Sequence, residues 1–168
     1  MQLNHQQSIF EKKSFPITLI CDGITKTANI GSLLRIADAF SIEKIYFCGT
    51  EEQLTRKSKR TSRATENWVN YSFEKDAESL IKKLKSTHYI IGLEITDKSM
   101  SLQNLELITQ KKIALVIGNE NYGISDAILK FCNHIIHINM YGKNSSMNVA
   151  QATSITLYEI TNQLKNYK

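Results

Sequence analysis

No apolar run in this chain approaches the roughly 18 residues that a membrane-spanning helix needs, so a spanning segment is not expected. Proline is nearly absent, at one residue, and the seven glycines are scattered, so no Pro/Gly-rich linker divides the 168 residues. Cysteine is scarce and odd in number. Cys21, Cys48 and Cys132 form no C-x-x-C pair, which speaks against a disulfide framework or a thiolate metal site and for reduced, mostly buried small hydrophobes. The opening stretch "MQLNHQQSIFEKKSF" lacks an apolar core of secretory type, and a cytoplasmic location is expected from it. There is no G-x-G-x-x-G, which leaves a hydride-transfer dinucleotide without support. The G-x-x-x-x-G from Gly118 to Gly123 is followed by Ile124 where a phosphate loop needs lysine, and Glu120 inside it would repel phosphate.

What is present is the composition of an ordinary soluble domain, 42% hydrophobic and 22% charged, long enough to bury a real core and read as one domain over residues 1–168. The formal charge is +5. Much of it is concentrated in "RKSKRTSR", where Arg56, Lys57, Lys59, Arg60 and Arg63 fall in one short segment. Such a run is either a solvated face or a contact for nucleic acid.

Five short apolar runs read as strands: "FPITLIC", "KIYFCG", "THYIIGLEI", "KKIALVIG" and "HIIHI". Their near-continuous apolar character suits a parallel sheet covered on both faces. Helical spacing lies between them. In "NIGSLLRIADAF", Ile30, Leu33, Leu34 and Ala37 share a face, and in "FEKDAESLIKKLKS" Ala77, Leu80, Ile81 and Leu84 do the same. Strand and helix alternating throughout predict an α/β fold with a parallel sheet. In such sheets ligands sit at the carboxyl ends of the strands. Three polar loops follow strands here, "EITDKS" after Leu93, "GNENYG" after Ile117 and "NMYGKNSS" after Ile138, and they would share one rim if their strands are neighbours.

Each candidate residue has a plain alternative. Asn29 is a good helix N-cap. Gly31, which costs roughly 0.5–1 kcal/mol in a helix relative to alanine, makes sense if something approaches the backbone closely. Arg35 points off the apolar face and either pairs with Asp38 at i+3 or serves a ligand. In the third loop Ser145 or Ser146 would cap the terminal helix and Gly142 would make a sharp turn. Capping accounts for one serine but leaves Asn144, the other serine and Asn148, and that surplus of short polar groups is what a binding site looks like.

Taken in order, these stretches resemble the SpoU (TrmH-like) branch of the SPOUT RNA methyltransferases. The family's N-x-G-x-x-x-R matches Asn29, Gly31 and Arg35; its strand ending in G-x-E-x-x-G matches Gly118, Glu120 and Gly123; its I-P-M-x-G-x-x-x-S-L-N-V-S matches Ile138, Met140, Gly142, Ser146, Asn148 and Val149. Asn139, Met147 and Ala150 depart from the third pattern. The resemblance covers roughly Ile17 to Leu164. It implies a Rossmann-like parallel-sheet core with a C-terminal deep trefoil knot, an exception to the rule that chains avoid knots. It implies S-adenosyl-L-methionine as cofactor, held by Leu93, Glu94, Ile117, Gly118, Ile138, Met140, Ser146 and Met147, and no metal. It implies methyl transfer to a ribose 2′-hydroxyl of RNA by a homodimer whose site is completed across the interface. Asn29, Arg35, Glu120, Ser146 and Asn148 would carry the chemistry, and Arg56 to Arg63 would hold RNA backbone. Because guanidinium stays protonated, Arg35 is expected to act as an electrostatic clamp in preference to a general base. Transfer RNA is the expected substrate from the chain's minimal length, with ribosomal RNA as the alternative. A knotted RNA-binding protein without catalysis, and an enzyme acting on a base nitrogen, are the rival readings.

Overall fold

A computed structural model describes residues 12–50, 53–107 and 111–166. Seven strands, β1 (Phe15–Asp22), β2 (Ile42–Cys48), β3 (Tyr71–Glu74), β4 (His88–Leu93), β5 (Met100–Ser101), β6 (Lys112–Ile117) and β7 (His134–His137), form one sheet in the order β3-β2-β1-β6-β4-β7-β5. Every strand pairing in it is parallel. The helices are α1 (Thr27–Ala39), α2 (Arg56–Ser62), α3 (Ala77–Leu84), α4 (Asp126–Leu129) and α5 (Val149–Asn166).

The apolar runs are continuous because both faces of the sheet are covered. Ile17, Leu19, Cys21, Ile113, Leu115 and Ile117 point to the side packed by Ile30, Leu33, Leu34 and Ala37 of α1 and Leu157 and Ile160 of α5. Their alternates Ile20, Ala114 and Val116 meet Ala77, Leu80 and Ile81 of α3 and Ile128 of α4. Full burial of each isoleucine, leucine or valine among them stabilises the fold by about 1.5–3 kcal/mol. The cysteines belong to this packing. Burial pushes the thiol of Cys21 well up, that of Cys48 to about 12 and that of Cys132 to about 11, so none is a nucleophile at neutral pH.

Two expectations need correction, and one segment gains an element. Strand and helix do not alternate throughout: the chain passes from β4 to β6 through the two-residue β5 and a 3-10 turn, Leu102–Asn104, with no α-helix among the described residues between them. Phe73 and Glu74 close strand β3, and α3 begins only at Ala77, capped by Asp76, whose Oδ1 accepts from Ser79 N at 2.8 Å. The segment "RKSKRTS" is itself a helix, α2, started by Thr55, whose hydroxyl accepts from Ser58 N at 3.2 Å.

Gly31 is explained by that helix. A Cβ at Gly31 would lie 2.5 Å from Ser58 O, 2.6 Å from Thr61 Cβ and 3.0 Å from Ser62 N. The close approach inferred from the glycine is therefore that of α2 to α1, backbone against backbone.

Candidate active site

Strands β6, β4 and β7 are immediate neighbours, so the loops that follow Leu93, Ile117 and His137 do open on one rim. They enclose a cavity of about 680 Å³, within the size range of small-molecule sites. All eight residues predicted to hold a cofactor line it: Leu93, Glu94, Ile117, Gly118, Ile138, Met140, Ser146 and Met147.

The loops are held in place by backbone-directed side chains. Glu94 bridges two of them, its carboxylate accepting from Ile95 N and from Ile124 N, each at 2.9 Å. Asn119 donates to Gly23 O at 2.6 Å and accepts from Asn121 N at 2.8 Å, fixing the turn that begins at Gly118. The turn folds back so tightly that a Cβ on Gly118 would lie 2.2 Å from the carbonyl carbon of Gly123. Gly123 has φ +67°, and a Cβ there would meet Glu94 Oε2 at 2.4 Å. Gly118 is thus dictated by packing within the loop and Gly123 by its φ and by Glu94 of the neighbouring loop, which is why the spacing of a phosphate loop occurs without its chemistry.

The three motifs meet through one hydrogen-bond relay. Asn148 Nδ2 donates to Asn29 Oδ1 at 3.0 Å, and Asn29 Nδ2 donates to Glu120 Oε1. Asn29 is buried, whereas Asn148 and Glu120 lie at the lip of the cavity. A shallow depression beside that lip is lined by Asn29, Ser32, Ile36, Asn148 and Gln151.

Two capping assignments change here. Lys26, not Asn29, is the N-cap of α1, and Asn29 lies in the first turn, its side chain turned inward to Glu120. Neither serine caps α5. Asn148 does so, its Oδ1 accepting from Ala150 N at 2.9 Å and Gln151 N at 3.4 Å, and this leaves Ser145 and Ser146 free to line the cavity. Gly142 has open space around its α-carbon and needs no left-handed φ, so no special turn requires it.

Arg35 is exposed, outside the lining of both the cavity and the depression, and its side chain makes no hydrogen bond or ion pair among the described residues. Its expected partner, Asp38, accepts instead from Trp68 Nε1 at 2.8 Å. Arg56, Lys57, Lys59, Arg60 and Arg63 are all exposed on or just beyond α2, a cationic surface reached from α1 and separate from the cavity.

The sequence model of the SpoU rRNA methylase family matches residues 16–158, nearly the whole chain. This chain belongs to the SpoU rRNA methylase family. Among curated relatives, this SpoU-family chain is 24% identical over 163 residues to the tRNA (guanosine(18)-2′-O)-methyltransferase of Aquifex aeolicus, covering 96% of this chain and 76% of that one. It is 29% identical over 165 residues to the 23S rRNA (guanosine-2′-O-)-methyltransferase RlmB of Haemophilus influenzae, covering 95% and 65%. The crystal structure of the A. aeolicus TrmH/SpoU tRNA modifying enzyme superposes with a TM-score of 0.82 at 24% identity, over 93% of this chain and 79% of that one.

One expected residue has a further role and one contributor was not foreseen. Glu94, expected to hold a cofactor, also braces two loops through its carboxylate. Asn119, the residue between Gly118 and Glu120, organises the turn. An Asx residue after a strand-terminal glycine is the signal that could have revealed it.

Proposed function

We propose that this chain transfers a methyl group from S-adenosyl-L-methionine to a ribose 2′-hydroxyl of RNA, with transfer RNA as its substrate class. The reaction and the cofactor follow from membership of the SpoU family. The observation that carries the site is the relay Asn148–Asn29–Glu120 at the lip of a cavity built from three adjacent strand ends.

The cavity suits the cofactor by its donor set as well as its size. Its lining sets the apolar Leu93, Ile117, Ile124 and Ile138 beside the polar Thr96, Asn119 and Ser146. That combination matches a ligand with a polar amino-acid end and a flat heteroaromatic end. When bound, S-adenosylmethionine supplies an electrophilic methyl group on a sulfonium. The protein's part is to orient the hydroxyl and stabilise the charge that grows on its oxygen. Ser146 and Asn148, on the rim, would orient the hydroxyl. Glu120 would hold the Asn29 amide in one orientation, with its carbonyl oxygen turned to Asn148.

Arg35 would clamp the developing alkoxide and a neighbouring phosphate, with a substrate phosphate or water taking the hydroxyl proton as the methyl group leaves the sulfonium. It lies outside the lining of its own chain's cavity, and this supports a homodimer in which the arginine of one copy serves the cavity of the other. Exposed Ile155 and Tyr158 on α5 are suited to such an interface. We read the chain as a single methyltransferase domain, and the likeness in fold supports a C-terminal trefoil knot around the cavity. Likeness to the Aquifex tRNA enzyme over 96% of this chain supports transfer RNA, while 29% identity to RlmB favours ribosomal RNA as the second reading.

The test is a methyl-transfer assay with labelled S-adenosylmethionine on total RNA separated into transfer and ribosomal pools, followed by nucleoside analysis. A 2′-O-methylated nucleoside from the transfer pool is expected. Label confined to ribosomal RNA would move the substrate class, label on a base would overturn the reaction, and cofactor binding without any label would favour a binding-only protein.

A further inference from the structure

The chain's single tryptophan is not in its core. Trp68 follows the 3-10 turn Thr65–Asn67 and is 62% exposed, unusual for the largest aromatic side chain. It is nevertheless held. The indole Nε1–H donates to Asp38 Oδ1 at 2.8 Å, which pins the edge of the ring to the last turn of α1. Asp38 lies three residues beyond Arg35, and residues so spaced are neighbours on a helix surface. The ring is therefore anchored on the face of α1 that carries Arg35.

On its other side in the sequence stands the basic helix. Arg63 and Ala64, both in the left-handed region at φ 53° and 68°, turn the chain from α2 into the 3-10 segment that leads to Trp68. The exposed Arg56, Lys57, Lys59, Arg60 and Arg63 form no ion pair among the described residues, and α2 is locked against α1 through Gly31. Along α1 the contact with the cationic helix comes at Gly31, Arg35 follows one turn on, and the aromatic surface is fixed by its edge at Asp38 a turn beyond that, so all three share one helix.

We infer that Trp68 is a stacking platform for an unpaired nucleobase of the RNA substrate, an inference that rests on the RNA reading of the preceding subsection. Every base has a π face, and an indole held edge-on offers a matching one. The flanking cations neutralise the phosphates on the same strand. A continuous duplex hides its base faces, so the platform favours a single-stranded loop with a splayed base and binds the loop near the arginine that needs it. Asp38 is a positioning residue in this arrangement.

Because Trp68 is the sole tryptophan, its fluorescence reports on this site alone. The full chain is titrated with an RNA hairpin whose loop is single-stranded, and with a blunt duplex of the same stem. The hairpin is expected to quench the emission and the duplex to leave it. Trp68→Ala, followed by filter binding, is expected to weaken the hairpin by about 5- to 150-fold, the range that base–aromatic stacking carries, and to leave the duplex unchanged. Trp68→Phe keeps most of the affinity. The slope of log affinity against log salt stays as in the wild type for both variants, since no charge is lost, whereas Arg60→Ala lowers it by roughly one on either RNA. Equal hairpin binding by Trp68→Ala and wild type overturns the inference. So does an equal loss on hairpin and duplex, or a loss that tracks dissociation of a dimer, which would make the occupant a second copy of the chain. A wild-type protein that binds neither RNA removes the RNA reading and this inference together. One that methylates RNA but is indifferent to Trp68→Ala removes the platform alone.

Discussion

Replacing Gly31 by alanine pits two effects of opposite sign. In a solvent-facing helix interior, alanine for glycine would stabilise by roughly 0.5–1 kcal/mol through backbone entropy. Here the new methyl carbon would stand 2.5 Å from a carbonyl oxygen and 2.6 Å from Thr61 Cβ, where ordinary contact begins near 3.4 Å. Two of the three nearest atoms are backbone, so no rotamer change relieves the clash. Helix α2 must retreat by nearly an ångström or α1 must tilt. Overpacking of this kind costs about 1–3 kcal/mol, which outweighs the propensity gain. The net expectation is a destabilisation of about 1–2 kcal/mol, or a fall in Tm of roughly 2–8 °C for a chain of this size. The retreat carries the basic helix with it, so RNA affinity should fall while S-adenosylmethionine affinity, set in the separate cavity, holds. Thermal melting with calorimetric titration of the cofactor decides the matter. A Gly31→Ala protein that melts above wild type would refute the reasoning, because it would show α2 free to move.

The other predictions concern the proposed site and one buried histidine. Arg35→Ala should lower turnover by at least about 100-fold, the scale of losing one charge-stabilising donor, with cofactor binding near wild type. Mixing Arg35→Ala with Ser146→Ala subunits should restore activity if the arginine serves the partner's cavity, since one site of the mixed dimer is then intact; no restoration would assign Arg35 to its own chain. Asn148→Asp should keep the cap on α5 and the Tm but lose the amide donor to Asn29, so its turnover should drop. Asn148→Ala should also lose about 1 kcal/mol of stability with the cap, read by urea denaturation. His88, buried beside Thr18 and near Lys112, has its pKa lowered by desolvation and by that lysine. The unfolded chain then binds more protons, so this contribution to stability is complete above about pH 6.5 and is lost as pH falls below it. His88→Gln should flatten that part of the pH–stability curve.

The strands were legible because burial on both faces leaves unbroken apolar runs such as "IALVI", and α1 and α3 because their apolar spacing is helical. Strand β3 was not, since its four residues are only half-buried at the sheet edge and "FEKDAESLIKKL" reads on smoothly into a helical pattern. The gap between β4 and β6 escaped for a related reason: β5 is two residues long and carries no period. At the site, the strand and loop pattern showed only that three polar loops could share a rim; the cavity-lining residues were named through the resemblance of their motifs to a known family. Hydrogen-bond direction was legible from neither. Asn29 and Asn148 each suit a cap, and only the fold shows that Asn148 takes that role while Asn29 turns inward to Glu120. The role of Gly31 depended on a helix, α2, that looked in the sequence like a charge run.

The bond between Asn29 and Asn148 joins residues 119 apart, and that separation sets an order of assembly. During synthesis the β1–β2–β3 leaf can pair once Glu74 has emerged, yet the cavity draws its walls from Lys26 to Ala152 and has no lip until α5 docks. Long-range parallel pairings are slow to form, so a waiting, incomplete chain has a real lifetime. Such a chain owns the basic helix but not the cavity, and could meet RNA before it can hold a methyl donor. Ligand in the cavity selects the finished molecule, adding about 2.7 kcal/mol to its stability at a hundredfold excess over Kd. Occupancy of that cavity is thus a record that the last helix has come home.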